Sequence, residues 1–216
     1  SVEELLAPAF LDATDGKAAV FHGAGREDVD ALMLGDGRPF VMEVEKPRRR
    51  EIDTGALQQD ANDRADGKVE IRDLRRVSRD AVERVKSTDA SKRYRAQVSF
   101  DQPVSEDELD DAVNALVGRV EQRTPERVER RRADMVRERE LYDATGEIDG
   151  ETSAEEATIE LHTEGGTYVK ELVSGDGGRT QPSLADELGT GATVEALDVL
   201  AVEPEDEESF VKSGSV

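Results

Sequence analysis

Arg26 and Asp28 stand two positions apart in the run Phe21-His-Gly-Ala-Gly-Arg-Glu-Asp-Val-Asp30. The stretch Gly23-Ala-Gly25 makes a tight loop after a segment that reads as a strand, with room for a ligand to approach the backbone. A guanidinium beside a carboxylate keeps it ionised. An ionised carboxylate in a cleft can act as nucleophile, base or metal ligand. Alone, the R-x-D triplet is weak, because the chain holds 51 Asp and Glu and most of them must sit on the surface. The Asp28–Asp30 pair is the ground for one rival reading, metal-dependent phosphoryl transfer, although a D-x-D spacing is expected often in so acidic a chain. His22 reads as a packed strand residue rather than a ligand. Gly175-Asp-Gly-Gly-Arg179 is glycine-rich but lacks the Lys-Ser/Thr of a phosphate-binding loop, which argues against nucleotide binding.

Composition removes whole classes of chemistry. The chain has no Cys and only two His, His22 and His162. Disulfides, thiolate catalysis and Cys-ligated zinc are excluded, and a Ser-His-Asp arrangement has little to draw on. The longest apolar runs fall well short of the roughly 18 residues that span a bilayer. The N-terminal Ser-Val-Glu-Glu-Leu-Leu lacks the basic region of a signal peptide, so the expected location is cytoplasmic. The missing initiator Met points to a processed or truncated chain.

Net charge is −22, from 29 basic and 51 acidic residues. Only seven of the basic residues are Lys. Many acids, few lysines and 4% aromatics point to adaptation to molar salt. At 1 M salt the screening length is about 3 Å. Long-range repulsion from phosphates and long-range attraction to them both vanish there. An acidic chain can then still bind RNA through short-range contacts.

The elements that must position these residues mix strands and helices without regular βαβ alternation, which places the chain in the α+β class. At 216 residues it is long enough for one sizeable core or two small lobes around a cleft. Alternation predicts strands over Lys17–Gly23, Arg38–Val44, Val69–Leu74, Tyr94–Phe100, Ala157–His162 and Thr193–Val202. Ser105-Glu-Asp-Glu108 is a capping-box signature opening a helix with Leu109, Ala112, Val113, Leu116 and Val117 on one face. Asp53 to Arg64 reads as a second amphipathic helix. Gly165–Ser174 reads as a strand or turn entering a short helix. Asp66-Gly67 and Gly146–Gly150 are turn signals. No linker separates independent domains, and the acidic tail 204–216 reads as a solvated end.

Four co-linear blocks then carry a resemblance. His22-Gly-Ala-Gly-Arg-Glu-Asp-Val-Asp30 strongly resembles the catalytic loop of the archaeal and eukaryotic pseudouridine synthases acting at uridines 54 and 55 of tRNA (the Pus-ten type). Lys92-Arg-Tyr-Arg-Ala resembles that family's tyrosine motif. Gln122-Arg-Thr-Pro-Glu-Arg-Val with Arg130-Arg-Arg-Ala-Asp-Met-Val-Arg, and the stretch from Gly165-Gly-Thr-Tyr-Val-Lys to Ser183, resemble two more of its blocks. The resemblance implies the pseudouridine synthase catalytic fold, with a mixed or antiparallel sheet core in two lobes around a central active-site cleft. It implies a catalytic domain over 1–203, without the family's N-terminal, zinc-bearing RNA-binding domain.

Its roles carry over residue by residue. Asp28 matches the catalytic aspartate, and Lys170 the cation that pairs with it, helped by Arg26. Tyr94 matches the ring that stacks on the extruded uridine, and Tyr168 the tyrosine beneath the active site. Leu197 matches an apolar wall, with Leu200 as the competing assignment. The partner implied is the T-arm of tRNA, gripped by Arg48, Arg49 and Arg50 and by Arg130, Arg131 and Arg132. Read alone, the eight arginines between 119 and 139 are a solvated charged face, and Lys46–Arg50 a surface turn. The resemblance favours phosphate contacts instead. Tyr94 alone would be a cross-strand packing residue, and Tyr168 and Lys170 a pair on one strand face. The reaction needs no redox step and no group transfer, so neither cofactor nor metal is implied, and a monomer is expected. A catalytically degenerate tRNA-binding or chaperone domain is the alternative function.

Overall fold

The computed structural model describes residues 1–25, 32–35, 37–87, 90–130, 133–150 and 152–204. In chain order its elements are α1 (Val2–Thr14), β1 (Ala18–Gly23), β2 (Leu32–Met33), β3 (Phe40–Glu45), α2 (Thr54–Ala65), α3 (Ala81–Ser87) and β4 (Ala90–Ser105). They continue with α4 (Glu106–Leu116), β5 (Gly118–Arg123), β6 (Val136–Ile148), β7 (Ser153–Thr163), α5 (Val169–Ser174), β8 (Thr180–Gln181), α6 (Leu184–Leu188) and β9 (Ala192–Pro204). The class is α+β, as the pattern predicts. The described residues form two compact units, one from 1–24 and 39–87, the other from 25–38 and 90–204. The first unit is made of two separated stretches, so there is no single linker for composition to reveal.

The first unit packs α1 and α2 with the antiparallel pair β1–β3. Its core is Leu6, Ala9, Phe10, Leu57, Ala61 and Ile71, with Phe21 and Phe40 stacked at 5.3 Å beside it. Helix α1, which the sequence reading did not anticipate, opens with a Ser1–Glu4 capping box. Its buried residues follow helical spacing, but Pro8 interrupts the signal. Helix α2 is capped by Asp53, whose side chain accepts from Ala56 N–H at 3.0 Å, and it ends on left-handed Asp66.

The strand expected over Val69–Leu74 is irregular chain. Its backbone is held by side chains of α2 instead of by a neighbouring strand. Ile71 N–H donates to Asn62 Oδ1 at 2.8 Å and Asn62 Nδ2 donates to the Ile71 carbonyl at 2.9 Å. Leu74 N–H donates to Gln58 Oε1 at 2.8 Å. Backbone groups must find partners, and here side-chain amides satisfy them without a ladder.

The second unit is built on a seven-stranded sheet in the order β2-β9-β4-β7-β6-β5-β8, antiparallel except for the β2–β9 pair. Strand β4 alternates buried and exposed residues along most of its length. Tyr94, Ala96, Val98 and Phe100 lie on the covered face with Ile159 and Leu161 of β7 and Leu197 and Val199 of β9. Helix α4 starts at the predicted capping box, with Ser105 and Glu108 each bonding the other's backbone N–H. It turns Leu109, Ala112, Val113 and Leu116 inward against β6. Full burial of Leu109 contributes about 1.5–3 kcal/mol. Gly146, expected in a turn, lies inside β6 opposite Ile159. A Cβ there would sit 2.8 Å from the Leu109 side chain, so the strand must be bare at that point.

The opposite sheet face is polar. Arg93 pairs with Glu203 at 2.9 Å and Arg95 with Glu160 at 2.8 Å. His162 meets Ser91 Oγ at 2.9 Å, and its ring lies 5.0 Å from that of Tyr142. Burial, then the charge of Arg93, holds the His162 imidazole below its ordinary pKa.

Candidate active site

Tyr94 sits at the middle of β4, between Val199 of β9 and Leu161 of β7, and is 3% exposed. Leu197 lies opposite Ala96 in the same register, which makes it Tyr94's diagonal neighbour on the covered face. Leu200 falls at a register shift in β9 and is half-buried. With Tyr94, Arg93, Asp143 and His162 it borders a small depression. By strand register, then, Leu197 rather than Leu200 shares the face of Tyr94. Lys92 is buried on that face too, a charged residue to which sequence reasoning gave no role. The arginines on either side of Tyr94 point the other way, into the carboxylate pairs of the polar face.

Tyr168 and Lys170 do not share a strand face. Strand β7 ends at Thr163, and the chain turns through Gly165 and Gly166. Gly165 passes so close to β4 that a Cβ would lie 2.6 Å from the Ala90 carbonyl oxygen, and Gly166 has φ +83°. Tyr168 is the N-cap of α5 and Lys170 lies in its first turn, both half-buried. Helix α5 packs against β9. None of Lys92, Tyr94, Tyr168 and Lys170 is without an interaction partner.

Two further side chains hold this turn, and both come from the block that starts at Gln122. Gln122 is 1% exposed on β5. Its Oε1 accepts from Tyr168 N–H at 2.8 Å, and its Nε2 donates to the Tyr168 carbonyl at 3.0 Å. One helical turn on, Glu171 is buried against Arg127, whose Nε and Nη2 donate to its two oxygens at 2.6 and 3.3 Å. Sequence reasoning missed both roles. A Gln-Arg-Thr-Pro-Glu-Arg block gives no signal of which distant backbone its amide meets.

Asp28 and Arg26 lie outside the described residues, as do Arg131 and Arg132. The described residues on either side of the Arg26–Asp28 segment are held in place. Arg38 Nη1 donates to the Gly25 carbonyl at 3.1 Å. Leu32, four residues beyond Asp28 in sequence, pairs with Asp198 of β9, and Leu34 N–H donates to the Val199 carbonyl at 2.7 Å. Gly35 has φ +61°, and a Cβ there would meet the Leu200 carbonyl oxygen at 2.4 Å, so this close approach to β9 needs glycine. Strand β9 is thus shared by β2 and the segment to Gly35, by the Tyr94 strand and by the Tyr168–Lys170 helix.

The basic residues divide. Arg48, Arg49 and Arg50 are exposed, with Arg48 3.4 Å from Asp15. Arg130 is exposed as well. Of the other arginines between 119 and 139, Arg119 pairs with Glu138, Arg123 with Asp134, Arg127 with Glu171 and Arg139 with Glu164. These four hold carboxylates of their own chain. His22 is a packed strand residue whose Nε2 lies 3.1 Å from Glu43. Among the described residues no group of three or more His, Asp or Glu could hold a metal ion. Among them, too, no helix is long and apolar enough to cross a membrane.

The sheet and its helices define a fold that chains of two Cbf5 complexes share. The chain superposes on one in a Cbf5-Nop10-Gar1 complex with TM-score 0.56 at 20% identity, covering 92% of this chain and 45% of that one. For an archaeal box H/ACA Nop10-Cbf5 complex the TM-score is 0.50 at 15% identity, covering 95% and 46%.

The family follows from sequence. The model described as "Pus10, C-terminal" matches residues 1–203, and the chain belongs to that family. It is 61% identical to the tRNA pseudouridine synthase Pus10 of Halorubrum lacusprofundi, over 96% of this chain and 48% of that protein. Identity is 50% to the protein of the same name from Methanothrix thermoacetophila, over 94% and 44%. To that from Archaeoglobus fulgidus it is 47%, over 94% and 55%. The chain therefore spans about half the length of the curated relatives it matches.

Proposed function

We propose that residues 1–203 form the catalytic domain of a tRNA pseudouridine synthase that isomerises uridine in the T-loop, at position 54, 55 or both. The observation that carries this reading is the match along nearly the whole of that span to proteins named tRNA pseudouridine synthase Pus10. In the reaction the N1–C1′ bond breaks, the base turns, and C5 joins C1′. The C5 proton is lost and N1 regains one, so atoms and electrons balance within the substrate. Asp28 is the nucleophile, attacking sugar or base and stabilising developing charge. Lys170 is its cationic partner, with Arg26 nearby in sequence.

The target base is stacked within folded tRNA and must be flipped out, at a cost of a few kcal/mol. Stacking on Tyr94 returns about 1–3 kcal/mol of that. Because Tyr94 is only 3% exposed, the incoming base must displace whatever covers the ring. Leu197 walls the same face, and Tyr168 supplies ring packing and a weak acid or base. Arg48, Arg49, Arg50, Arg130, Arg131 and Arg132 contact the phosphates of the T-arm, positioning it without reading sequence.

The test is Asp28→Asn. The unmutated chain should form pseudouridine in a tRNA transcript in molar KCl. The variant should form none while keeping its circular dichroism spectrum. Retained activity in Asp28→Asn would overturn the assignment. Binding of the transcript without conversion by the unmutated chain would point to the degenerate RNA-binding alternative.

A further inference from the structure

We infer that Gln122 and Arg127 are positioning residues for the Tyr168–Lys170 turn. Residues 122–128, on this reading, support the site and do not contact RNA. The inference rests on the assignment of Tyr168 and Lys170 made above. Two independent contacts carry it. The Gln122 amide, buried in the sheet, closes a reciprocal pair of hydrogen bonds on the Tyr168 backbone at 2.8 and 3.0 Å. It also lies 3.5 Å from Thr180 Oγ1, so its plane is fixed from two directions. The residue it holds is the N-cap of α5, whose φ and ψ set the direction in which that helix leaves the turn.

The second contact orders charge. Glu171 follows Lys170 directly and has a side chain only 6% exposed, whereas that of Arg127 is 40% exposed. The pair is therefore asymmetric. Loss of the guanidinium strands a buried carboxylate, which is strongly disfavoured. Loss of the Glu171 charge leaves an arginine that water already reaches. A stranded Glu171 carboxylate would be driven toward water and would shift the helical turn that carries it. Lys170, adjacent in the same helical turn, is the side chain that the proposed mechanism needs at Asp28. Arg127 thus keeps this turn of α5, and Lys170 with it, in place.

The asymmetry gives the test its shape. Single-turnover pseudouridine formation on a tRNA transcript is measured in molar KCl at rising chain concentration. The proteins compared are the unmutated chain, Arg127→Met, Arg127→Lys, Glu171→Gln, the Arg127→Met/Glu171→Gln double variant and Gln122→Leu. Misplacing a catalytic group by a fraction of its working distance costs up to roughly 100-fold. Arg127→Met should accordingly lose roughly 10- to 100-fold in saturating rate with an unchanged half-saturating concentration. Arg127→Lys should fall between, because a lysine cannot reproduce the two-pronged contact. Glu171→Gln should cost less than Arg127→Met, and the double variant should recover most of the lost rate. Gln122→Leu should lower the saturating rate in the same way.

A raised half-saturating concentration with unchanged saturating rate in Arg127→Met would overturn the inference in favour of an RNA contact. So would a double variant no better than Arg127→Met. If the unmutated chain makes no pseudouridine, the functional reading fails instead, and positioning is then read from amide hydrogen exchange. Gln122→Leu and Arg127→Met should speed exchange selectively over 168–172, and a uniform or absent change would overturn the inference by itself.

Discussion

Among the described residues, a side-chain amide answers both backbone groups of one distant residue twice, at Asn62–Ile71 and at Gln122–Tyr168. An amide carries a donor and an acceptor side by side, as an extended backbone does, so it can replace a strand neighbour where none is present. In the first unit the device anchors irregular chain on α2. In the second it fixes the residue that starts α5. The energetic reason is the penalty for leaving buried backbone groups unpaired, about 1–3 kcal/mol for each. Asn62→Leu removes both partners of Ile71, whose side chain is already in the core. It should lower the unfolding free energy by about 2–6 kcal/mol in denaturant titrations, with the loss concentrated in the first unit. A change under about 0.5 kcal/mol, the range of ordinary surface substitutions, would mean that water takes over the role.

At the scale of elements, α4 shows a local signal agreeing with tertiary packing. Ser105 and Glu108 close the box, and the residues after them bury one face. Ser105→Ala should cost about 1 kcal/mol, seen as a lower denaturation midpoint with unchanged slope. A neutral result would mean that packing on β6 holds the helix start unaided. The box was legible because both of its partners lie within four residues. Strands β4, β7 and β9 were legible too, because apolar and polar residues alternate along them. Strands β5 and β6 were not, because their alternation is carried largely by charge. Arg119 to Glu138 and Arg139 to Glu164 are the pairs that make those strands fit, and such a run looks like a solvated face. The segment 69–74 misled in the opposite direction, since its alternation is real but its hydrogen bonds go to Asn62 and Gln58. Of the site, Tyr94, Tyr168 and Lys170 were reached through motif resemblance. Gln122 and Glu171 act across 46 and 44 residues of sequence, a separation no local pattern encodes.

For the whole molecule the question is how a chain of net charge −22 stays folded and, on the proposed function, still meets RNA. Two electrostatic terms oppose each other. The arginine–carboxylate pairs of the second unit favour the fold, but most of them are partly exposed, and such pairs contribute about 0–1 kcal/mol each. Against them stands the mutual repulsion of the acids left over once 29 basic residues are matched against 51. Repulsion reaches across the molecule at low salt, where the screening length is roughly 30 Å at 0.01 M, and is confined to about 3 Å at 1 M. Salt weakens both terms, but the short pairs are screened less than the long-range repulsion. The fold should therefore gain stability as KCl rises. The expected result is a melting temperature, followed by circular dichroism, that climbs between 0.01 M and 1 M KCl and then levels. A flat or falling curve would show that the ion pairs dominate and would remove the basis for reading this composition as adaptation to salt. The same screening bears on substrate binding. If each of the six proposed arginines neutralises one phosphate, tRNA affinity should fall with salt at a logarithmic slope of about 4–5, since each neutralised phosphate adds about 0.7–0.9. A steeper slope would place more arginines on the RNA than Arg48–Arg50 and Arg130–Arg132. It would require pairs such as Arg123–Asp134 to open when tRNA binds.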